Sequence, residues 1–179
     1  MARLLALPVV LISLISSIAS AQDLVRDPGA LEQVEIQGIS LSMSAEEAFK
    51  ALRDAGYQAG DLDTYSDWTT DGIQFVRGTY GSPEGYSDMS MTRRGDRVVQ
   101  ITETFNSPGS PLDANAEIGA VKQQLGLPAD SNRCRTNSAN NGSCKVQDAD
   151  APEDVNIQYT LQVLSTMRMV GITRTKELQ

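Results

Sequence analysis

Apolar residues recur every three or four positions in two segments, which is the pattern of an amphipathic helix with one buried face. The first segment covers about residues 45 to 55. Ser44 and Glu47 precede its core with the spacing of a capping box, and Gly56 follows it as a stop signal. Its apolar stripe contains Ala45, Ala48, Phe49, Leu52 and Ala55. The segment is therefore predicted to be a helix that packs one face on a sheet.

The second helical segment starts near residues 110–113, where Pro111 suits a first turn and Asp113 suits a capping role. It ends at Gly126, ahead of Pro128. Its apolar stripe contains Leu112, Ile118, Val121 and Leu125.

Runs of β-prone residues separated by turn signals follow each helix. An earlier apolar run, residues 34–41, predicts a short edge strand. The later runs are residues 73–80, 87–92 and 97–105, two arms around Cys134 and Cys144, the alternating run 157–163, and residues 168–175.

The last of these strands repeats an earlier one. Residues 97–104 and 168–175 agree at an arginine, a valine, an isoleucine and two threonines, at a spacing of about 71 residues. We therefore expect an α+β fold built from two tandem helix-plus-antiparallel-sheet repeats packed together. The first repeat would span residues 34–106 and the second residues 107–179, after a flexible N-terminal arm at 22–33.

Residues 1–21 have the pattern of a signal peptide. Arg3 is followed by an apolar run, and Ala19-Ser20-Ala21 is a cleavage site of the small-x-small type. An uncleaved anchor is the alternative, although the apolar run is shorter than the roughly 20 residues that a bilayer span needs. We expect a periplasmic or secreted protein with no stable membrane anchor after cleavage.

The net charge and the cysteine content bear on which partners and which kinds of site this protein can have. The chain has a formal net charge of −8 and no cluster of basic and aromatic residues, so we expect no nucleic-acid partner. Its two cysteines, Cys134 and Cys144, flank Asn140-Asn141-Gly142, which favours a disulfide across a hairpin whose Asn-Gly supplies positive φ angles. A metal site at the two cysteines would lack further cysteine or histidine ligands.

The sequence favours a protein that is not an enzyme. Without histidine it has no Ser-His-Asp triad, and it contains neither Gly-x-Ser-x-Gly nor a Walker loop. We therefore expect no catalytic residues, no cofactor and no metal.

One acidic stretch with aromatic residues is the densest candidate for binding. Aspartates at 61, 63, 67 and 71 resemble the start of a calcium loop, but Tyr65, Ser66 and Gly72 stand where a ligand, the turn glycine and the closing glutamate are needed. A solvated loop with a core tryptophan and a protein-binding loop are the other two interpretations. The candidate partner-binding residues are Tyr65, Asp67, Trp68, Asp71, Tyr80 and Tyr86.

The segment Ile39-Ser40-Leu41-Ser42-Met43-Ser44-Ala45-Glu46-Glu47-Ala48 is similar to the helix-opening motif of the beta-lactamase inhibitor protein fold. The order of elements also resembles this tandem-repeat fold and the single-repeat fold of small outer-membrane assembly lipoproteins. Ser42 stands where these families usually have glycine, and the lipidated cysteine is absent, so membrane anchoring does not carry over. The resemblance implies a two-repeat fold over nearly the whole mature chain.

Together these features predict a non-enzymatic protein-binding module of the periplasm or the exterior that uses loops or an exposed sheet face, and the resemblance implies an inhibitor-like role. The partner would be another protein of the cell envelope or outside the cell. The alternatives are a cell-envelope assembly or structural factor, and a small-ligand carrier that uses the cleft between the repeats.

Overall fold

In the computed structural model, residues 30–58, 73–79, 82–148 and 155–176 are described. Within these ranges the chain forms two α-helices and seven β-strands, so the fold is α+β as predicted. The helices are α1 (Ala45–Asp54) and α2 (Ala114–Gln124). The strands are β1 (Ile73–Gly78), β2 (Tyr86–Arg94), β3 (Arg97–Asn106), β4 (Cys134–Thr136), β5 (Gly142–Gln147), β6 (Val155–Leu164) and β7 (Met167–Lys176).

All seven strands belong to one antiparallel sheet with the order β1-β2-β3-β7-β6-β5-β4. The two strands that repeat one another in sequence, β3 and β7, are therefore neighbours at its centre. Ile101 lies opposite Ile172 in their register, and these are the two isoleucines that match in the repeated sequence. Sequence reasoning did not predict this pairing.

One face of the sheet carries the core. Directly paired residues lie on the same side of a sheet, so one row can be followed across all seven strands. Both helices lie on this covered face: Phe49 of α1 stacks edge-on against Phe75 with ring centroids 5.4 Å apart. Ile118 of α2 lies against Gly142 of β5. The buried row consists of Phe75, Met89, Glu103, Val170, Leu161, Cys144 and Cys134.

Side chains cap both helices at the predicted residues, although Pro111, expected in the first turn of the second helix, precedes its cap. The Ser44 hydroxyl accepts from the Glu47 amide, and the Ser44 amide donates to the Glu47 carboxylate, which completes the capping box. These hydrogen bonds lower the pKa of Glu47. At α2 the Asp113 carboxylate accepts from the amides of Asn115 and Ala116. Amides in the first turn of each helix thereby gain hydrogen-bond partners.

Cys134 and Cys144 form the predicted disulfide, but the hairpin around them turns differently from the expectation. The residue with positive φ is Asn140 (φ 54°), whereas Gly142 already belongs to β5. A Cβ atom at Gly142 would lie only 3.0 Å from Ile118 Cγ1, so any larger residue there would require Ile118 of α2 to shift. The Asn140 side chain accepts from the Ala114 amide and so joins the hairpin to the start of α2.

The N-terminal part of the described chain differs from two expectations. Residues 34–41 do not form an edge strand; they contain a single bridge between Ile36 and Ile39, because the chain reverses at Gln37 and Gly38 with positive φ angles. Ala30–Gln33, placed in the flexible arm, is a 3-10 helix whose Leu31 is fully buried. Its burial in the core makes this end of the arm part of the fold.

The predicted signal peptide at 1–21 and the start of the arm lie outside the described residues. Among the helices that the structure describes, none is long and apolar enough to cross a membrane.

Candidate functional site

Within the residues that the structure describes, neither helix packs against the second face of the sheet. Its central row is Gln74, Ser90, Thr102, Gly171, Thr160 and Lys145, in order from β1 to β5. Ser90, Thr102 and Thr160 are each partly accessible to solvent. We call this side of the sheet the uncovered face.

The middle of the uncovered face has no charge. On β6, on β7 and at residues 100–106 of β3, the residues that alternate with the buried ones carry no charged side chain, although 21% of the whole chain is charged. Met169 of β7 is the exposed large apolar residue among the described residues. These uncharged positions are Gln100, Thr102, Thr104, Asn106, Asn156, Gln158, Thr160, Gln162, Leu164, Met167, Met169, Gly171, Thr173 and Thr175.

The uncovered face is large enough for a stable contact. Its seven strands make it about 34 Å wide at about 4.8 Å per strand, and its ten-residue strands are about 33 Å long. The outer strands are shorter, so the area is on the order of 700 to 1,000 Å². A standard protein interface buries about 800 Å² on each partner.

The covered face contains a buried carboxylate, Glu103 of β3, whose side chain is 2% exposed. Its Oε1 accepts from Gln37 Nε2 at 2.7 Å, from the Ser87 hydroxyl at 2.8 Å and from the Tyr57 hydroxyl at 3.3 Å. Its Oε2 accepts from Arg168 Nη2 at 3.1 Å. Both oxygens of this carboxylate are therefore satisfied, as a buried charge requires.

Arg168 of β7 extends this network to α2. Its Nη1 donates to Glu117 Oε2 at 3.1 Å, and its guanidinium lies 5.5 Å from the centre of the Phe105 ring. On the other side, Arg77 lies 4.8 Å from the centre of the Tyr57 ring. The network thus connects the helices and the first strand to the centre of the sheet.

A cleft of about 210 Å³ opens beside this network, between α2, the reversal at 35–37 and the covered face. Glu103, Glu117 and Arg168 line it together with Gln124 and Tyr159. Because Arg168 bonds both Glu103 and Glu117, the cleft presents the three charged groups already paired.

Burial and charge change the acidity of three groups here. Burial raises the pKa of Tyr57, and burial likewise raises the pKa of Tyr159 well above its usual value. Burial opposes the ionisation of Arg168, but the charges of Glu103 and Glu117 and their hydrogen bonds outweigh it, so the pKa of Arg168 is raised. The folded state therefore favours neutral tyrosines and a charged arginine.

These tyrosines predict a loss of stability in alkali. An unfolded tyrosine releases its proton near its usual pKa of about 10, whereas the folded protein retains the proton on Tyr57 and Tyr159 to higher pH. The stabilisation is complete below pH about 10 and is lost as pH rises through the raised folded pKa values. Urea unfolding between pH about 8 and 11 should show this decline, and the variant Tyr57→Phe/Tyr159→Phe should decline less steeply. If the free energy of unfolding fell equally steeply with pH in the variant and in the unaltered chain, the raised pKa values of Tyr57 and Tyr159 would not explain the decline.

Most of the predicted partner-binding residues lie outside the described ranges: Tyr65, Asp67, Trp68, Asp71 and Tyr80. Tyr86 is described, and it begins β2 as a half-buried residue opposite Gly78 and Asn106. It therefore lies near one end of the uncovered face. Binding at the acidic stretch stays a prediction.

Sequence reasoning missed Glu103, although a signal was present. Glu103 follows Ile101 by two positions, so it shares the buried face of a strand. A carboxylate in that position predicts an internal partner. Arg168 could not have been identified in the same way, because the pairing of β3 with β7 is non-local.

Among the described residues, no group of three or more cysteine, aspartate or glutamate side chains could hold a metal ion. No family model, curated protein or solved structure matches this chain.

Proposed function

We propose that this chain is a secreted or periplasmic, non-enzymatic protein-binding module whose partner docks on the uncovered face. The observation that carries the proposal is the uncharged centre of a wide sheet face in a chain with a net charge of −8. The centres of protein interfaces are depleted of charged residues, since each buried charge must lose its water. The disulfide suits an oxidising compartment.

The proposal includes two tandem repeats, residues 34–106 and 107–179. Two features support it: the repeated strands β3 and β7 are antiparallel neighbours, and their matching isoleucines are directly opposed. A two-fold relation between repeats that meet along these strands would produce this register. Each repeat would then contribute one half of a continuous docking face, as in an inhibitor-like protein.

The proposal is tested by placing one charge at the centre of the uncovered face. The unaltered chain first captures its partner from an envelope or culture extract, and the purified partner is then measured by titration calorimetry. We expect Thr102→Arg to weaken binding about tenfold or more, because an unpaired charge would be buried in the interface. The matched control is Ala116→Arg, which adds the same charge on the exposed side of α2.

Ala116→Arg should bind as the unaltered chain does, and both variants should melt near the unaltered temperature. Equal affinity of Thr102→Arg and the unaltered chain would exclude the uncovered face as the docking site.

A second candidate function, transport of a small ligand, is favoured by the cleft of about 210 Å³ beside Arg168. Native mass spectrometry of protein purified from its own compartment distinguishes the two. A copurifying small molecule that Glu117→Gln releases would favour the carrier.

A further inference from the structure

Three cations surround a depression on the uncovered face at its β4 edge. Arg133, Arg135 and Lys145 line it together with Asn132 and polar residues of β5, and its volume is about 490 Å³. All three cationic side chains are exposed. No carboxylate is among the residues that line it. We call these three residues the basic triad.

The register makes the triad electrostatically unfavourable. The Lys145 amide donates to the Arg133 carbonyl at 3.0 Å, so these two residues are adjacent on neighbouring strands. Arg135 follows Arg133 by two positions and lies on the same side. Like charges in adjacent cross-strand positions repel each other and destabilise a sheet.

No described acid offsets this repulsion. Of the three side chains, only Arg135 has a hydrogen bond within the described residues, from its Nε to the Asn132 carbonyl, and none of them has an ion pair there. The chain as a whole has 23 acidic residues against 15 basic ones. The triad therefore presents three positive charges without an ion-pair partner among the described residues, at the border of an uncharged surface.

We propose that the basic triad receives an acidic segment of the partner protein, with its carboxylates between Arg133, Arg135 and Lys145. This inference rests on the proposed function, since the triad borders the uncharged centre of the same face. Arginine suits this role because its planar guanidinium can hold a carboxylate with two parallel hydrogen bonds. The uncharged centre of the face would form the contact from which water is excluded. The triad would determine how the partner is oriented on the face.

A short protein segment fits the charges better than a membrane or a nucleic acid does. A large anionic surface would lie close to many of the acidic residues of this chain as well as to the triad. The net charge of −8 would therefore repel such a surface. A segment with a few carboxylates would interact mainly with the nearest charges, because salt screens beyond about 8 to 10 Å.

The test measures binding of a labelled peptide of alternating glutamate and threonine to the full chain by fluorescence anisotropy. A peptide with glutamine in place of glutamate is the matched probe. We expect the variant Arg133→Gln/Arg135→Gln/Lys145→Gln to bind the acidic peptide about tenfold or more weakly than the unaltered chain. The matched variant is Arg94→Gln/Arg97→Gln, which removes exposed, cross-strand arginines at the turn between β2 and β3. It should bind normally.

Several outcomes overturn the inference: no binding by the unaltered chain, equal binding of the glutamine peptide, or equal losses in both variants. Triad-dependent binding to phosphatidylglycerol vesicles without binding to the peptide would overturn it in favour of an anionic lipid surface. The peptide experiment is independent of the Thr102→Arg measurement. The two experiments therefore show separately whether the proposal of a docking face is wrong and whether the proposal for the basic triad is wrong.

Discussion

Replacing Arg168 by methionine is expected to lower the free energy of unfolding by about 3 to 5 kcal/mol. The substitution leaves the Glu103 carboxylate, which is 2% exposed, without its cationic partner. It also removes the ion pair to Glu117, whose side chain is 25% exposed. Urea unfolding followed by circular dichroism measures the loss.

Two further variants separate the buried charge from the loss of contacts. Glu117→Gln removes the more exposed ion pair and should cost about 1 kcal/mol or less. Glu103→Leu/Arg168→Met removes both members of the buried pair, so it should recover part of the stability lost in Arg168→Met. Recovery should be incomplete, because Ser87 and Gln37 lose their acceptor. A stability of Arg168→Met within about 1 kcal/mol of the unaltered chain would contradict the role given to this ion pair.

Substitutions at the centre of the sheet should lower the free energy of unfolding by a similar amount. Ile172→Ala is expected to cost about 2 to 5 kcal/mol, because Ile172 is fully buried and the substitution leaves a cavity beside Ile101. Ile101→Ala should cost a similar amount. Because these residues join β3 to β7, we expect one cooperative unfolding transition in both variants, observed by calorimetry.

Thr173→Ala is the matched control, since Thr173 neighbours Ile172 on β7 but lies on the uncovered face. It should change the free energy of unfolding by about 0.5 kcal/mol or less. Two separate transitions in Ile172→Ala would mean that the parts of the chain on either side of the β3–β7 pairing fold independently.

Local chemistry made much of the fold predictable. Both helices begin at the predicted caps, Ser44 and Asp113, because a capping side chain bonds amides only two or three residues away. The alternating run 157–163 is a strand with its apolar residues buried, since a strand alternates sides at every residue. The error at residues 34–41 arose because the chain reverses at Gln37 and Gly38, and the error in the hairpin arose because Asn140, not Gly142, takes the positive φ angle.

The candidate sites were less predictable. Glu103 and Arg168 on the covered face come from strands far apart in sequence, so no local spacing marks their pairing. Arg133 and Lys145 lie on the two arms of the predicted cysteine hairpin, but the register that places them side by side was not predicted. The predicted binding stretch around Trp68 lies outside the described residues and stays a prediction.

The sequence by itself determined the α+β class, the helix positions, the cysteine pair and the buried side of β6. These follow from interactions within a few residues and from the periods of helix and strand. Only the tertiary structure decided that β3 and β7 meet and that both helices cover the same face. Pairing between distant strands depends on the free energy of the whole assembled core, which no single segment contains.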